Sequence, residues 1–490
     1  MDITQCNDTF NSTEFDTDVK ARAKALQYLE QHNEIKTLRV LWVDVSNIIR
    51  CKAVRTTWLL QHKSSFNYVC VTNACMSLRP FDDTIINEAL PNRDFGEAYL
   101  VPEWDTFYVT SYSPSSATVF GGFFHKSPTT GMIERWPLCP RNALIQAEKQ
   151  LAMTRSNSDV PGLLLKGAFE EEFYLIPQSL EVNKQLMVNP DPYTFTNVYS
   201  LNEYTPILDE ILDHLERHGV PVEQVMAESG PAQFEITWDY CNIKQACDRH
   251  IIVRQTVHAI AQKHGLYASF LPKPYLHKVG TGCHAHLSLW TLDGATNIVP
   301  DASEPTGVSP LGQRAIAGVL SMAKELTSLF NACPLSYRRL QPNCWSGCNI
   351  IWGLDNKEAM VRIASSPFMS KTGNSNFEIK TIDHTANPYL AMAGAIYAVI
   401  HGLDNSNIVI PPPTSANPAV MSFEEVSKMA LEKLPTNLEK ALDLLNNNQY
   451  LQSSLGTQLV NAFIQVKRAE VAFMKDKDIN AAVMIYYKLF

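Results

Sequence analysis

Five short stretches of this 490-residue chain carry side chains able to hold ions or move charge. The first is Glu170-Glu171-Glu172-Phe173-Tyr174-Leu175-Ile176. Side chains two apart on a strand share a face, so Glu170 and Glu172 are expected to project together; paired carboxylates repel unless a cation lies between them. The second, Glu228-Ser229-Gly230-Pro231-Ala232-Gln233-Phe234-Glu235, contains a Gly-Pro interruption that forces a turn and can bring Glu228 round to the face of Gln233 and Glu235. The third joins Lys273-Pro274-Tyr275 to Gly280-Thr281-Gly282-Cys283-His284-Ala285-His286-Leu287-Ser288. Its glycines permit close approach to a ligand, and strand alternation puts His284, His286 and Ser288 on one face. The fourth is basic, with Arg338 and Arg339 in one segment and Lys357 and Arg362 in another, a pairing of cations that suits an oligophosphate. In the fifth, Phe377-Glu378-Ile379-Lys380, a carboxylate and a cation share a face.

Taken singly, most of these are the residue types of a solvated strand face. Together they supply five carboxylates and a histidine as hard ligands, with several cations for phosphate. That set suits Mg²⁺ or Mn²⁺, not zinc, and two such ions can clamp a nucleotide during phosphoryl transfer. Cys344 and Cys348 have a metal-like spacing but no second matching pair.

The elements that must position these residues follow from pattern. An amphipathic helix is expected over 18–32, then short strands over 37–45, 68–71, 98–101 and 107–109, with turn residues between them. The Gly-, Ser- and Pro-rich stretch 112–132 reads as a connection to a helix over 141–153, and a domain boundary is placed there. Beyond it, strands alternate with helices over 203–218, 243–264, 311–329 and 387–402, and 422–475 is mainly helical. The apolar run 389–400, closed by Pro388 and His401, reads as a core helix. The expected class is α+β: an N-terminal extension and helix over 1–34, a small sheet domain over 35–135 and a larger catalytic domain over 136–490.

Net charge is -9, which gives no general attraction to nucleic acid or anionic lipid. No stretch has the roughly 18 apolar residues of a membrane span. The polar, acidic first seventeen residues read as disordered and unlike an export signal, so the two glycosylation-type triplets at Asn7 and Asn11 are expected to be inert. Eleven scattered cysteines fit reduced thiols in a cytoplasmic protein.

The five motifs, in this order, resemble the type I glutamine synthetase family, particularly its divergent fungal and plant branch. Earlier residues agree: Asp44 in Val43-Asp44-Val45, Arg50-Cys51-Lys52, the run Leu100-Val101-Pro102-Glu103-Trp104-Asp105-Thr106, and Pro140-Arg141. The resemblance implies a β-grasp N-terminal domain and a catalytic domain with a curved antiparallel sheet flanked by helices. It implies that Glu172, Glu228 and Glu235 hold one metal ion, and Glu170, His284 and Glu378 another. Arg362 and Lys357 would contact phosphate, His286 and Ser288 the nucleotide, and Gly280, Arg339 and Lys380 the carboxylate substrate. Asp44 would help deprotonate the amine across a subunit boundary, in stacked rings of ten or twelve subunits. The implied reaction is ATP-dependent: glutamate's side-chain carboxylate is phosphorylated and the acyl phosphate is opened by ammonia or an amine.

The chain departs from the family pattern at the substrate, not at the metals. Trp345 replaces the flap glutamate, Lys380 and Lys357 each replace an arginine, Val279 an asparagine and Ala232 a glycine. A tryptophan in place of an anion suits a bulkier or aromatic amine better than ammonium, and a lysine cannot fork onto a carboxylate as arginine does. The expected activity is therefore a glutamine synthetase-like ligase joining glutamate, or a close analogue, to an organic amine. Ammonia-using glutamine synthesis and a non-catalytic scaffold that keeps the fold are the alternatives.

Overall fold

The computed structural model describes residues 19–90, 96–127, 129–154, 162–182, 185–186, 188–189, 194–365, 375–429 and 431–490. The expectations for the first seventeen residues, including Asn7 and Asn11, lie outside them. Helix α1 (Val19–Gln31) turns Ala25 and Leu29 inward. It precedes a sheet built from β1 (Thr37–Val43), β2 (Ile49–Arg55), β3 (Val69–Thr72), β4 (Glu97–Pro102), β5 (Tyr108–Val109), β6 (Ser116–Lys126) and β7 (Ile133–Arg135), with α2 (Thr56–Gln61) after β2. Strand order is β2-β1-β6-β4-β3, and β5 and β7 also pair with β6. Among the described residues of this sheet, β1 and β6 pair in parallel and the other pairs are antiparallel.

Strand β6 corrects the sequence reading of 112–132 as a connection. Nine consecutive residues of β6, Ser116 to Phe124, are buried, because the strand lies between β1 and β4 with both faces covered. Such a strand has no alternation to read. Its glycines act as packing residues: a Cβ on Gly121 would sit 2.6 Å from Leu100 Cδ1.

Helix α3 (Pro140–Met153) begins with proline in its first turn and leads into two further sheets. Their elements are β8 (Leu163–Phe169), β9 (Glu171–Pro177), the small hairpin β10 (Glu181–Val182) and β11 (Gln185–Leu186), α4 (Val198–Arg217), β12 (Val222–Ala227), β13 (Gln233–Trp238), β14 (Cys241–Asn242), α5 (Ile243–Lys263), β15 (Leu266–Ser269) and β16 (Ala285–Thr291). The expected helix over 311–329 is two, α6 (Pro310–Ser321) and α7 (Ala323–Phe330), followed by the short α8 (Ser336–Arg339). Strands β17 (Asn349–Leu354), β18 (Ala359–Ile363) and β19 (Phe377–Ile379) complete the sheets.

One sheet has the order β12-β13-β9-β15 and the other β14-β8-β16-β19-β18-β17. The chain passes from the second to the first between β8 and β9, at the single residue Glu170. Helix α9 (Pro388–Asp404) is buried almost throughout and starts where the Asn387 side chain accepts the Leu390 N–H, as expected of a core helix. The C-terminal part is helical: α10 (Phe423–Lys428), α11 (Leu438–Asn447), α12 (Gln449–Leu455), α13 (Thr457–Met474) and α14 (Ile479–Tyr486). The fold is α+β with curved sheets. Among the described residues no helix is long and apolar enough to cross a membrane.

The N-terminal sheet is locked to the later elements by a buried ion cluster. Arg141 donates to Glu103 Oε2 at 2.9 Å and to both oxygens of Asp248 on α5. Lys244 also donates to Glu103 at 2.8 Å, and the Tyr389 hydroxyl donates to Asp248 at 2.6 Å. Burial opposes ionisation of Glu103, but Arg141 and Lys244 outweigh it and hold its carboxyl far below the usual range.

Candidate active site

Strand register brings the separate motifs together. Glu172 on β9 lies directly opposite Glu235 on β13, while Glu378 on β19 has His286 on one side and Arg362 on the other. The Glu170 N–H donates to the His284 carbonyl at 3.0 Å, which ties the sheet crossing to the start of β16. The Gly-Pro turn forms: the Glu228 N–H donates to the Gln233 carbonyl at 2.8 Å, and Ala232 takes φ 52°. That non-glycine residue in the left-handed region marks local strain beside the site.

These elements open on a cavity of about 610 Å³. Its walls include Glu170, Glu172, Glu228, Glu235, His284, Gly280, Arg339, Trp345, Lys357, Arg362 and Lys380. Glu378 is fully buried beneath it. His286 and Ser288 stand behind the wall: His286 Nε2 is 2.9 Å from Glu170 Oε1, and Ser288 Oγ accepts the Trp290 Nε1–H. Asp44 is also buried away from the cavity, its carboxylate taking the Arg50 Nε–H and the N–H groups of Ser46 and Ile48. Glu170 corrects one local expectation, since it is a crossing residue and not a strand partner of Glu172, yet both carboxylates reach the cavity.

The Gly280-to-Gly282 loop is glycine-rich because nothing larger fits. A Cβ on Gly282 would meet His284 Nε2 at 2.6 Å, Arg339 Nη2 at 2.7 Å and Glu172 Oε1 at 3.0 Å. The Gly282 N–H donates to Glu172 Oε2 at 2.8 Å, and Gln233 Nε2 donates to the Gly280 carbonyl at 2.9 Å. Arg339 is fixed by donation to the carbonyls of Thr381 and Lys380 at 3.0 and 2.8 Å.

The electrostatics divide the carboxylates. Glu170 is 2.7 Å from His284 Nδ1; burial opposes its charge, but the two histidines outweigh burial and hold it well below the usual range. Glu378 is treated likewise by Lys380 and Arg362, each donating at 2.9 Å, and by the histidines; its carboxyl is lowered despite burial. His286 is pushed up to about 9, where Glu170 and Glu378 overcome its burial. On the other side, burial and neighbouring carboxylates push Glu228 up to about 7 and Glu235 to about 10, and burial raises Glu172. Like charges placed directly across a sheet are destabilising. The cluster Glu172, Glu228 and Glu235 therefore has the donor chemistry and the unbalanced negative charge that a hard divalent cation would offset. Glu170, His286 and Glu378 also offer donor atoms all within 4.8 Å of one another.

The structure adds residues that the sequence reading passed over. Phe195 and Met226 join Val279 and Trp345 as the apolar part of the wall, and no motif announced them. Glu358 accepts the Trp345 backbone N–H at 2.9 Å, and Lys357 Nζ lies 4.7 Å from the Trp345 ring centre. Glu171 turns inward to His250; alternation with Glu172 on β9 could have signalled that it faces the other way, though not its partner.

The class this fold and site define is that of ATP-dependent carbon–nitrogen ligases. Residues 137–486 match the family model for the glutamine synthetase catalytic domain, and the chain belongs to the glutamine synthetase family. It is 46% identical to type-1 glutamine synthetase 1 of Dictyostelium discoideum over 468 residues, 94% of this chain and 91% of that one. It is 32% identical over 277 residues to the gamma-glutamylpolyamine synthetase GlnA3 of Streptomyces coelicolor, 56% of this chain and 59% of that one. A solved complex of GmaS with ADP superposes with a TM-score of 0.77 at 25% identity, covering 92% of this chain and 97% of that one.

Proposed function

We propose that this protein joins the side-chain carboxylate of glutamate, or a close analogue, to an organic amine, using ATP and an acyl phosphate. The observation that carries the reading is the composition of one cavity. Its carboxylate and cation lining suits phosphoryl transfer, while another part of the wall carries Trp345, 51% exposed, with Phe195, Met226 and Val279. An apolar wall favours an amine with a hydrocarbon body over ammonium, which gains nothing from it. The GlnA3 relative and the GmaS–ADP complex are consistent with an organic acceptor and with nucleotide binding.

In this reading Glu172, Glu228 and Glu235 hold one Mg²⁺ or Mn²⁺, and Glu170, His284 and Glu378 a second. Bound there, the ions neutralise charge on the transferring phosphoryl oxygens. Arg362 and Lys357 bind phosphate oxygens, and Arg362 follows their charge into the transition state. Arg339, held by two backbone carbonyls, positions the carboxylate, with Lys380 and Gly280 beside it. His286 and Ser288 support the nucleotide end. Asp44, whose carboxylate is buried against Arg50 in its own chain, would act in this reading only where a ring assembly opens it to a neighbouring subunit's site.

Incubation with ATP, Mg²⁺ and glutamate, with either ammonium or a panel of mono-, di- and polyamines, followed by phosphate release and product mass, tests this. Amide products from amines at rates well above ammonium are expected. The name of the Dictyostelium relative favours a second reading, glutamine formation, and comparable turnover with ammonium alone would establish it. No phosphate release with any acceptor would leave a scaffold.

A further inference from the structure

Behind the cavity, four side chains converge that the ligase reading leaves without a task. Glu171, on the core side of β9, has both carboxylate oxygens 3.0 Å from His250 Nδ1 on α5. Cys283 Sγ, from the loop before β16, lies 3.7 Å from the same nitrogen. His384 Nδ1 lies 3.6 Å from Glu171 Oε2, too far for a hydrogen bond. One donor atom from each of the four falls within 4.8 Å of all the others, and all four residues are buried.

We propose that Glu171, His250, Cys283 and His384 form a further cation site outside the cavity, buried, four-coordinate and suited to a zinc-class divalent ion. Zinc bonds of about 2.0–2.3 Å at tetrahedral angles place neighbouring donors about 3.3–3.7 Å apart. Two of the observed separations, 3.6 and 3.7 Å, have that length, and the third, at 3.0 Å, needs to open by about half an ångström. The donor set is one sulfur, two imidazole nitrogens and one carboxylate oxygen, softer than the all-hard set in the cavity. A second observation points the same way: neither ring nitrogen of His384, which is fully buried, has a hydrogen bond of normal geometry among the described residues. Its ring lies within reach of the Gly282 carbonyl, the kind of second contact that orients a metal-bound imidazole.

Binding expels the Cys283 thiol proton to solvent, and thiolate plus carboxylate then offset the charge of a dication, with the buried Arg254 cation beside them. The metal-free alternative has its own candidate: Arg254, buried one turn after His250 on α5, faces Glu171 electrostatically.

The full chain, produced with zinc in the medium and dialysed against a weak chelator, is analysed by elemental mass spectrometry, and reloaded with Co²⁺ for absorption spectroscopy. About one zinc per chain is expected, with a thiolate-to-cobalt charge-transfer band and intense tetrahedral ligand-field bands. Cys283→Ser removes the charge-transfer band, while Glu235→Ala, in the cavity, leaves zinc content unchanged. Zinc lost in Glu235→Ala but kept in Cys283→Ser belongs to the cavity and overturns the proposal. So does a folded wild-type chain with no zinc and no cobalt–thiolate band, since Arg254 then neutralises Glu171; this measurement decides even where Cys283→Ser does not fold.

Discussion

Glu235→Gln separates the stability of the cavity from its function. Glu235 faces Glu172 across the sheet and is pushed up to about 10 by burial and by Glu170, Glu172 and Glu228. In metal-free protein at pH 7 it is therefore protonated, whereas in the unfolded chain it ionises above its ordinary value of 4.5. A carboxyl raised on folding destabilises: the penalty is absent below the unfolded value and grows as pH rises toward the folded one. At pH 7 the gap of about 2.5 units corresponds to about 3 kcal/mol at 1.36 kcal/mol per unit. Glutamine keeps the shape and cannot ionise, so the variant should be about 3 kcal/mol more stable at pH 7, with the difference fading toward zero near pH 4. Urea denaturation in EDTA at both pH values measures this, and phosphate release with Mg²⁺ should fall about a hundredfold or more as an ion ligand is lost. Equal stability at pH 7, a gain that persists unchanged at pH 4, or retained turnover would refute the reasoning.

Trp345→Glu should move acceptor preference toward ammonium, seen as a changed ratio of kcat/KM for ammonium and amines; an unchanged ratio places Trp345 outside the acceptor site. Arg141→Ala leaves Glu103 and Asp248 buried without their shared cation, so the unfolding free energy should fall by about 3–5 kcal/mol, measured as a shifted denaturation midpoint. Because Glu228 rises to about 7 without metal, its carboxylate form is scarce at pH 6. Mn²⁺ binding should therefore weaken at least about tenfold from pH 8 to pH 6 and release protons, a result that calorimetry in two buffers can check.

The site was more legible than the sheet that precedes it. Motif chemistry survives in a sequence because a carboxylate or histidine is recognisable wherever it stands: Glu170 and Glu172 reach one cavity although the sheet crossing at Glu170, not strand alternation, brings them there, and the Gly-Pro turn adds Glu228. Strand β6 was not legible, since burial on both faces erases the period on which strand recognition depends, and Gly121 and Gly122 look like loop residues until Leu100 is seen packed against them. Phe195 and Met226 were equally silent, because an apolar wall residue has the composition of any core residue. The partner of Glu171 was hidden for another reason: His250 and His384 approach it only through long-range packing of α5 and the segment before α9.

The crossing at Glu170 has a mechanical corollary. Glu172 and Glu235 belong to the sheet containing β9, with Glu228 in the turn between its strands β12 and β13, whereas Glu378 belongs to the one containing β8, and a single residue is the hinge pin between them. The spacing across the cavity thus depends on how the two slabs pack on α5 and on a few cross-links such as Glu170 to His284 and Gly282 to Glu172, not on a continuous ladder. A substitution in α5 that tilts one slab against the other would detune turnover while every strand pairing stays intact, so distant, well-folded, slow variants are the expected signature of this architecture.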